Sequence, residues 1–422
     1  MPERHLPVRP DLEQLKHQAK DLLRGYRAGE PSAVAEFQQH HPRAIDSVSA
    51  KLADAQLVLA RGYQARSWPR LVHACRLIDA IWEDDLETVR RLVTANPHLL
   101  LEDARVTPCS WGPPMSYAAN LGRDSIIRML HDLGARDHGK ALNRAALQGQ
   151  VGTARLLHAL MGSPKIIDKD ILGYPAYTLS VAGTAVALEL GAQVRDARGN
   201  SLAPVAVVLG TDSRNPEAKH QILEMYVQHG LPLPDTPVMA LHRGRIDLLE
   251  KHLKRDPGMV RRTLSLEEIY PPEVGCERPT QATFAAPLDG TTLLHICGDY
   301  GEIEIARWLI EHGADVNAEA EIDSDGFGGH TPLFCAVVAQ PNFSVNHAHT
   351  PDEARFTRLL LDHGANPNAR ASLRKQLHPG YGEETMHEYR DVTPLSWGER
   401  FHRQKFVSQE SLRLIEERGG GR

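Results

Sequence analysis

The chain has 422 residues, 41% of them hydrophobic and 24% charged, with a formal net charge of −6 and a sequence pI near 6.4. Nothing in it approaches the roughly 18 consecutive apolar residues of a membrane helix, and a mildly acidic balance lacks the basic excess of a duplex-binding protein, so neither membrane nor nucleic acid is an expected partner. Five cysteines, scattered and without a C-x-x-C pair, read as reduced thiols; MPERHLPVRPDLEQ offers no apolar leader, so the expected location is cytoplasmic.

Leu12, Leu15, Ala19, Leu22, Leu23 and Tyr26 recur at i, i+3, i+4, i+7 spacing, with Lys16, Lys20 and Arg24 on the other side, which predicts an amphipathic helix. Pro10 and Asp11 open it and Gly29 closes it. A short helix is expected at 31–39 and a third at 51–63. A fourth begins after Ser67, its cap, with Pro69 in the first turn. His40-His41-Pro42 reads as a helix-ending turn rather than a metal site. A stack of repeats needs an end with one apolar and one polar face. Residues 1–76 are therefore read as a helical N-terminal cap; a separate partner-docking or dimerisation module is the alternative.

From residue 77 onward the chain repeats itself. Residues 80–97 (AIWEDDLETVRRLVTANP) match 240–257 (ALHRGRIDLLEKHLKRDP), and both run on into a long loop. Pro113 and Gly134 are 21 positions apart, as are Thr292 and Gly313. Weaker copies occupy 142–161, 174–192 and 201–230. Thr331-Pro332-Leu333 and Thr393-Pro394-Leu395 restart the pattern, which closes at Gly364 and Gly419. About nine helical pairs fit between 77 and 421. Thr or Pro opens each first helix, Gly122 and Gly301 allow the bend between helices, and Gly134, Gly313 and Gly364 stand where each second helix ends. Ile305, Ala306, Leu309 and Ile310 recur at helical spacing and face the next copy.

The fullest copy, GTTLLHICGDYGEIEIARWLIEHGADVN at 290–317, carries T-x-L-H, a Gly bend, an amphipathic second helix and G-A-D-x-N. It resembles a complete ankyrin repeat. Residues 77–421 are thus similar to an ankyrin repeat domain, best defined at 113–137, 289–318, 329–369 and 391–420. The first 75 residues resemble the helical N-terminal region of a group of bacterial ankyrin-repeat proteins, through LEQLKHQAKDLLRGYRAG, LADAQLVLARGY and SWPRL. The resemblance implies an all-α solenoid of stacked helix-turn-helix units, with β-hairpins or extended loops between them and the helical cap in front. It implies that His295 bridges backbone groups of adjacent repeat turns. It brings little chemistry.

The resemblance also implies that a protein or peptide partner docks in a concave groove. The expected contacts are Trp111, Tyr117, Asn120, Asp299, Tyr300, Phe327, His330 and Trp397, which precede helix bends or lie at hairpin edges. Trp111 and Trp397 share T-P-x-S-W-G and read either as packing or as groove lining. Long inserts at 98–112, 258–290, 319–330 and 371–391 fall between repeats, where enlarged loops could wall in the groove. Three of them, 258–290, 319–330 and 371–391, support an alternative: a pocket for a small molecule or an enzymatic reaction, with Asp323, Asp325, His330, His378 and His387 as acid–base groups.

No cofactor, metal or catalytic residue is assigned. Asp323-Ser324-Asp325-Gly326 lacks the spacing and closing Glu of a calcium loop, so it reads as an acidic turn. His347 and His349 lack the third and fourth ligand of a zinc site. No G-x-S-x-G, Walker or dinucleotide motif occurs, and Cys297 sits where a small core residue is expected.

Overall fold

The computed structural model describes residues 4–105, 111–164, 169–211, 214–276, 286–338, 354–376 and 385–422. The chain divides into two compact units, Met1–Ile166 and Ile167–Arg422.

In the first unit, α1 (Leu12–Ala28), α2 (Pro31–His40) and α3 (Leu52–Gly62) close around one apolar cluster. Leu15, Ala19 and Leu22 meet Phe37, Val58 and Leu59 there, and Tyr26 stacks on Phe37 with centroids 3.7 Å apart. Asp11 caps α1 by accepting from the Glu13 and Gln14 amides. Helix α4 (Trp68–Trp82) sends Leu71 and Cys75 into the same cluster. Its C-terminal half pairs with α5 (Leu86–Ala95) and packs on α6 (Pro114–Asn120). Position 76 therefore lies inside a continuous helix that serves both the N-terminal cluster and the first helical pair. Helix α6 pairs with α7 (Asp124–Asp132), and α8 (His138–Leu147) with α9 (Val151–Leu160).

The second unit repeats the two-helix motif: α10 (Gly173–Tyr177) with α11 (Val181–Glu189), α12 (Val205–Gly210) with α13 (Pro216–Gln228), and α14 (Pro237–His242) with α15 (Ile246–Arg255). A one-turn helix, α16 (Leu266–Ile269), stands alone in the insert and packs on α14. Then come α17 (Leu293–Tyr300) with α18 (Ile303–Glu311), and α19 (Pro332–Cys335) with α20 (Arg355–Asp362). A hairpin of β1 (Ala371–Lys375) and β2 (His387–Val392) precedes α21 (Pro394–Arg400) and α22 (Gln409–Glu417). First helices stack on first helices (α17 on α19, α19 on α21) and second on second (α18 on α20, α20 on α22). No repeat could bury its apolar faces alone, so each depends on its neighbour.

The T-x-L-H position shows how one sequence element sets both cap and stack. Thr292 is the N-cap of α17; its amide donates to His295 Nδ1 at 3.2 Å, and His295 Nε2 donates to the His330 carbonyl of the next repeat at 3.0 Å. The imidazole is fully buried, so the two bonds that satisfy it also join adjacent turns. Gly301 follows α17 at φ 73°, in the left-handed region that lets the chain reverse into α18.

Antiparallel β1 and β2 pair Ala371 with Val392 and Leu373 with Tyr389, and a bulge between those pairs shifts the register. The insert at 371–391 is thus a twisted hairpin in its described parts. Among the described residues no helix is long and apolar enough to cross a membrane.

Candidate functional site

The eight expected contact residues are all under 10% exposed; the chain's own segments cover them. Tyr117 donates its hydroxyl to the Val8 carbonyl and lies 4.8 Å from the Trp111 ring. Trp111 stacks on Trp82, and Arg144 lies 4.9 Å over it while also donating to Asn120. Trp397 meets Tyr389 of β2 edge-on at 4.8 Å and Phe401 at 5.1 Å. Phe327 lies under two guanidinium groups, Arg374 at 4.4 Å and Arg390 at 4.2 Å. Asp299, Tyr300 and His330 are equally enclosed. In this conformation these side chains are closed off from solvent.

Asp299 and Tyr300 belong to a buried polar network. Arg214 reaches the Asp299 carboxylate at 3.0 Å, and its guanidinium lies 4.7 Å from the Tyr300 ring. Lys219 Nζ is 2.8 Å from Glu302 Oε1, which also meets His220 Nε2 at 2.8 Å. Lys219 further donates to His242 Nδ1 at 3.3 Å and sits 4.1 Å from the Tyr300 ring centroid. Burial lowers the Lys219 pKa against the pull of Glu302. Burial alone would raise the Glu302 carboxyl, yet Lys219 and His220 hold it below the usual range. Burial, with Lys219 close by, keeps His242 neutral. Cys297 is also enclosed, and burial pushes its thiol well above the ordinary value, so it is no ready thiolate. The network ties the pair α12–α13 to α14 and to α17–α18.

An accessible site lies elsewhere, where the inserts meet. Extended strips from successive loops exchange backbone bonds in a row: Leu264 N to Thr291 O at 2.8 Å, Glu321 N to Gly290 O at 2.9 Å, Ala320 N to His330 O at 2.9 Å, and Gly328 N to Ser372 O at 2.7 Å. These strips wall a cleft of about 190 Å³ lined by Pro287, Asp289, Gly290, Glu321, Ile322, Asp323, Phe327, Gly328, His330, Ser372, Leu373 and Arg374. Ile322 is 65% exposed at its rim. The Asp323–Gly326 turn is held by its own backbone, with Asp323 Oδ1 accepting from the Asp325 and Phe327 amides at 2.9 Å. Those bonds, first the one from Phe327, hold the Asp323 carboxyl below its ordinary range. Arg374 closes the turn by pairing with Asp323 and, at 2.9 Å, with Asp325.

The three inserts expected to wall a pocket do converge on this cleft. Of the proposed acid–base groups it brings together only Asp323 and His330. His387 stacks instead on His402 with centroids 3.8 Å apart, Asp325 is spent on Arg374, and His378 lies outside the described residues, as do His347 and His349. Among the described residues no three of His, Cys, Asp and Glu converge to hold a metal ion. Cys75, Cys276, Cys297 and Cys335 are all buried; Cys109 lies outside the described residues. Sequence reading did not single out Asp289, Glu321 or Ile322, although one isoleucine inside the acidic run EAEIDSD was a signal. It could not have found Lys219 with Glu302, which lie 83 positions apart.

A family model described as ankyrin repeats (3 copies) matches residues 259–371, a span that contains most of the cleft. Among solved structures, the chain is similar to the crystal structure of the human ASB11 ankyrin repeat domain. The identity is 17%, the match covers 73% of this chain and 99% of that one, and the TM-score is 0.27.

Proposed function

We propose that this chain, an ankyrin-repeat protein, is a protein–protein interaction module whose docking edge is the row of inter-repeat loops around Ile322. Ankyrin repeats in general bind protein partners, and function on such a fold lives in the particular site grafted onto it. The observation that carries the reading is the cleft: a backbone-laddered wall with one large apolar side chain exposed at its rim. Interfaces set apolar side chains within a polar rim, and here Ile322 stands among Asp289, Glu321 and Asp323. The eight buried residues then act by fixing the loops in place, not by touching the partner. The volume favours this over a metabolite site. About 190 Å³ is smaller than the roughly 300–1,000 Å³ of small-molecule pockets, and suits one or two side chains of a partner.

The full-length chain can be panned against a displayed random-peptide library. Clones that bind should lose at least roughly tenfold in affinity, the weight of one interface hot spot, against Ile322→Asp. They should keep their affinity for Val207→Ser, a change at a partly exposed apolar residue of α12. Binders indifferent to Ile322→Asp, or no binders at all, would sink this docking edge.

A further inference from the structure

The geometry points to a cationic side chain, lysine or arginine, as the group of a protein partner that enters the cleft; the inference rests on reading that edge as the docking site. Four acceptors line the cleft, one imidazole nitrogen and three carboxylates. His330 is 1% exposed and lines the cleft. Its Nε2 donates to the Pro287 carbonyl at 2.8 Å, which fixes the tautomer and leaves Nδ1 as a lone-pair acceptor. Among the described residues Nδ1 has no hydrogen-bond partner. A buried acceptor without a donor is costly, and in native proteins it asks for an explanation.

The other three acceptors are the carboxylates of Asp289, Glu321 and Asp323, against two guanidinium groups, Arg374 in the lining and Arg390 over the Phe327 ring. Only Asp323 is compensated, by its pairing with Arg374. Asp289 accepts from the Leu266 amide at 2.8 Å and Glu321 from the Thr263 hydroxyl at 2.5 Å. Both donors are neutral, so they leave the two charges standing. Apolar wall comes from Pro287, Ile322, Phe327 and Leu373. A lysine or arginine fits each demand at once: its methylene stem lies along apolar surface while its head donates several hydrogen bonds and carries positive charge. An acidic group would be repelled, and a backbone amide could satisfy His330 but would leave the carboxylates uncompensated.

Nα-acetyl-arginine amide and Nα-acetyl-lysine amide are suitable probes, titrated into full-length protein with 15N-labelled histidine. At least one should move the His330 Nδ1 resonance in the direction of a newly accepted hydrogen bond, while the neutral citrulline analogue should not. Glu321→Gln and Asp289→Asn alter exposed side chains and should each weaken binding about three- to tenfold, the weight of one partly exposed charge pair, with the circular dichroism unchanged. No response to either cationic amide, or an equal response to citrulline amide, overturns the inference. The displayed peptides separate the two readings. Ile322-dependent peptides that all carry a basic residue, lost in affinity on its replacement by glutamine, support both. Ile322-dependent peptides without a basic residue overturn the cation while leaving the docking edge standing, and absence of Ile322-dependent peptides removes the edge itself.

Discussion

Tyr270 places its hydroxyl 2.5 Å from that of Tyr300, and Tyr300 donates in turn to the Leu209 carbonyl, also at 2.5 Å. One residue belongs to the long insert after α15, the next to the end of α17, and the last to α12. Three separate segments thus share one buried chain of hydrogen bonds, under the cations of Arg214 and Lys219. The insert is no loose loop at this point; it is fastened over the first helix of the neighbouring repeat.

Tyr300→Phe should cost more than Tyr270→Phe. Tyr270 stands at the head of the chain, so its loss removes one donor, worth about 1 kcal/mol. Removing the Tyr300 hydroxyl removes two bonds at once, the one it accepts from Tyr270 and the one it donates to the Leu209 carbonyl, at about 1 kcal/mol each. Urea denaturation of the two variants checks the order. Equal midpoints would show that the relay is not formed as described.

Lys219→Met and Glu302→Leu should each destabilise the protein, Glu302→Leu by about 3–5 kcal/mol because it leaves the buried Lys219 ammonium without its carboxylate, and Lys219→Met by less because Glu302 keeps His220. The double variant should be less damaged than either single change, since an apolar pair needs no compensation there. His220, the second partner of Glu302, is partly exposed and can be hydrated when the carboxylate is gone. A thermodynamic double-mutant cycle by denaturant titration measures the coupling. Simple additivity would contradict the buried pair.

The repeat register was legible because each signal is local. Thr292 caps α17, His295 lies one turn on, and Gly301 ends the helix, all within ten positions. What was not legible depends on long-range placement. Tyr117, Tyr300 and Trp397 carry the residue types of contact surfaces, yet Val8, Tyr270 and Tyr389 lie over them. Residue type alone cannot tell an aromatic that awaits a partner from one already covered. The inserts were recognisable by length, and their aromatics were the material that fills the face. Glu321 and Asp289 went unnoticed for the opposite reason: an exposed carboxylate gains meaning only from the His330 nitrogen that shares its cleft.

Acid should destabilise the protein across the range in which unfolded histidine takes up protons and the buried ones do not. Burial holds His295 down to about 3 and His330 to about 4, below the ordinary value near 6.5. The folded chain therefore binds fewer protons than the unfolded chain between those limits, and stability falls as the pH is lowered. The contribution is fully present above about pH 6.5. Below that it drains away toward the folded values, at up to about 1.4 kcal/mol per pH unit for each group. His295→Asn should flatten the profile between about pH 6 and 4 while lowering stability at pH 7, where its bonds to Thr292 and the His330 carbonyl are lost. Denaturation midpoints measured across that range test both signs. An unchanged slope would show that His295 titrates normally.

Gly328→Ala should abolish the cleft's shape where Gly326→Ala does not. Both glycines have positive φ, 130° and 80°, so each substitution carries a backbone cost, of order 1 kcal/mol for the common left-handed region. They differ in surroundings. A Cβ at Gly326 meets nothing, whereas one at Gly328 stands 2.0 Å from the Glu321 carbonyl oxygen. That oxygen is backbone and cannot swing aside, so the strip at 320–322 must separate from the strip at 328–330. The exchange of bonds between Gly328 and Ser372 is strained with it, and Ile322 and Glu321 move away from His330. Binding of an Ile322-dependent peptide should then be lost from protein that is still folded at the assay temperature, while Gly326→Ala retains it. Equal binding by the two variants would mean that the partner reads a single exposed residue and not the geometry of the laddered edge.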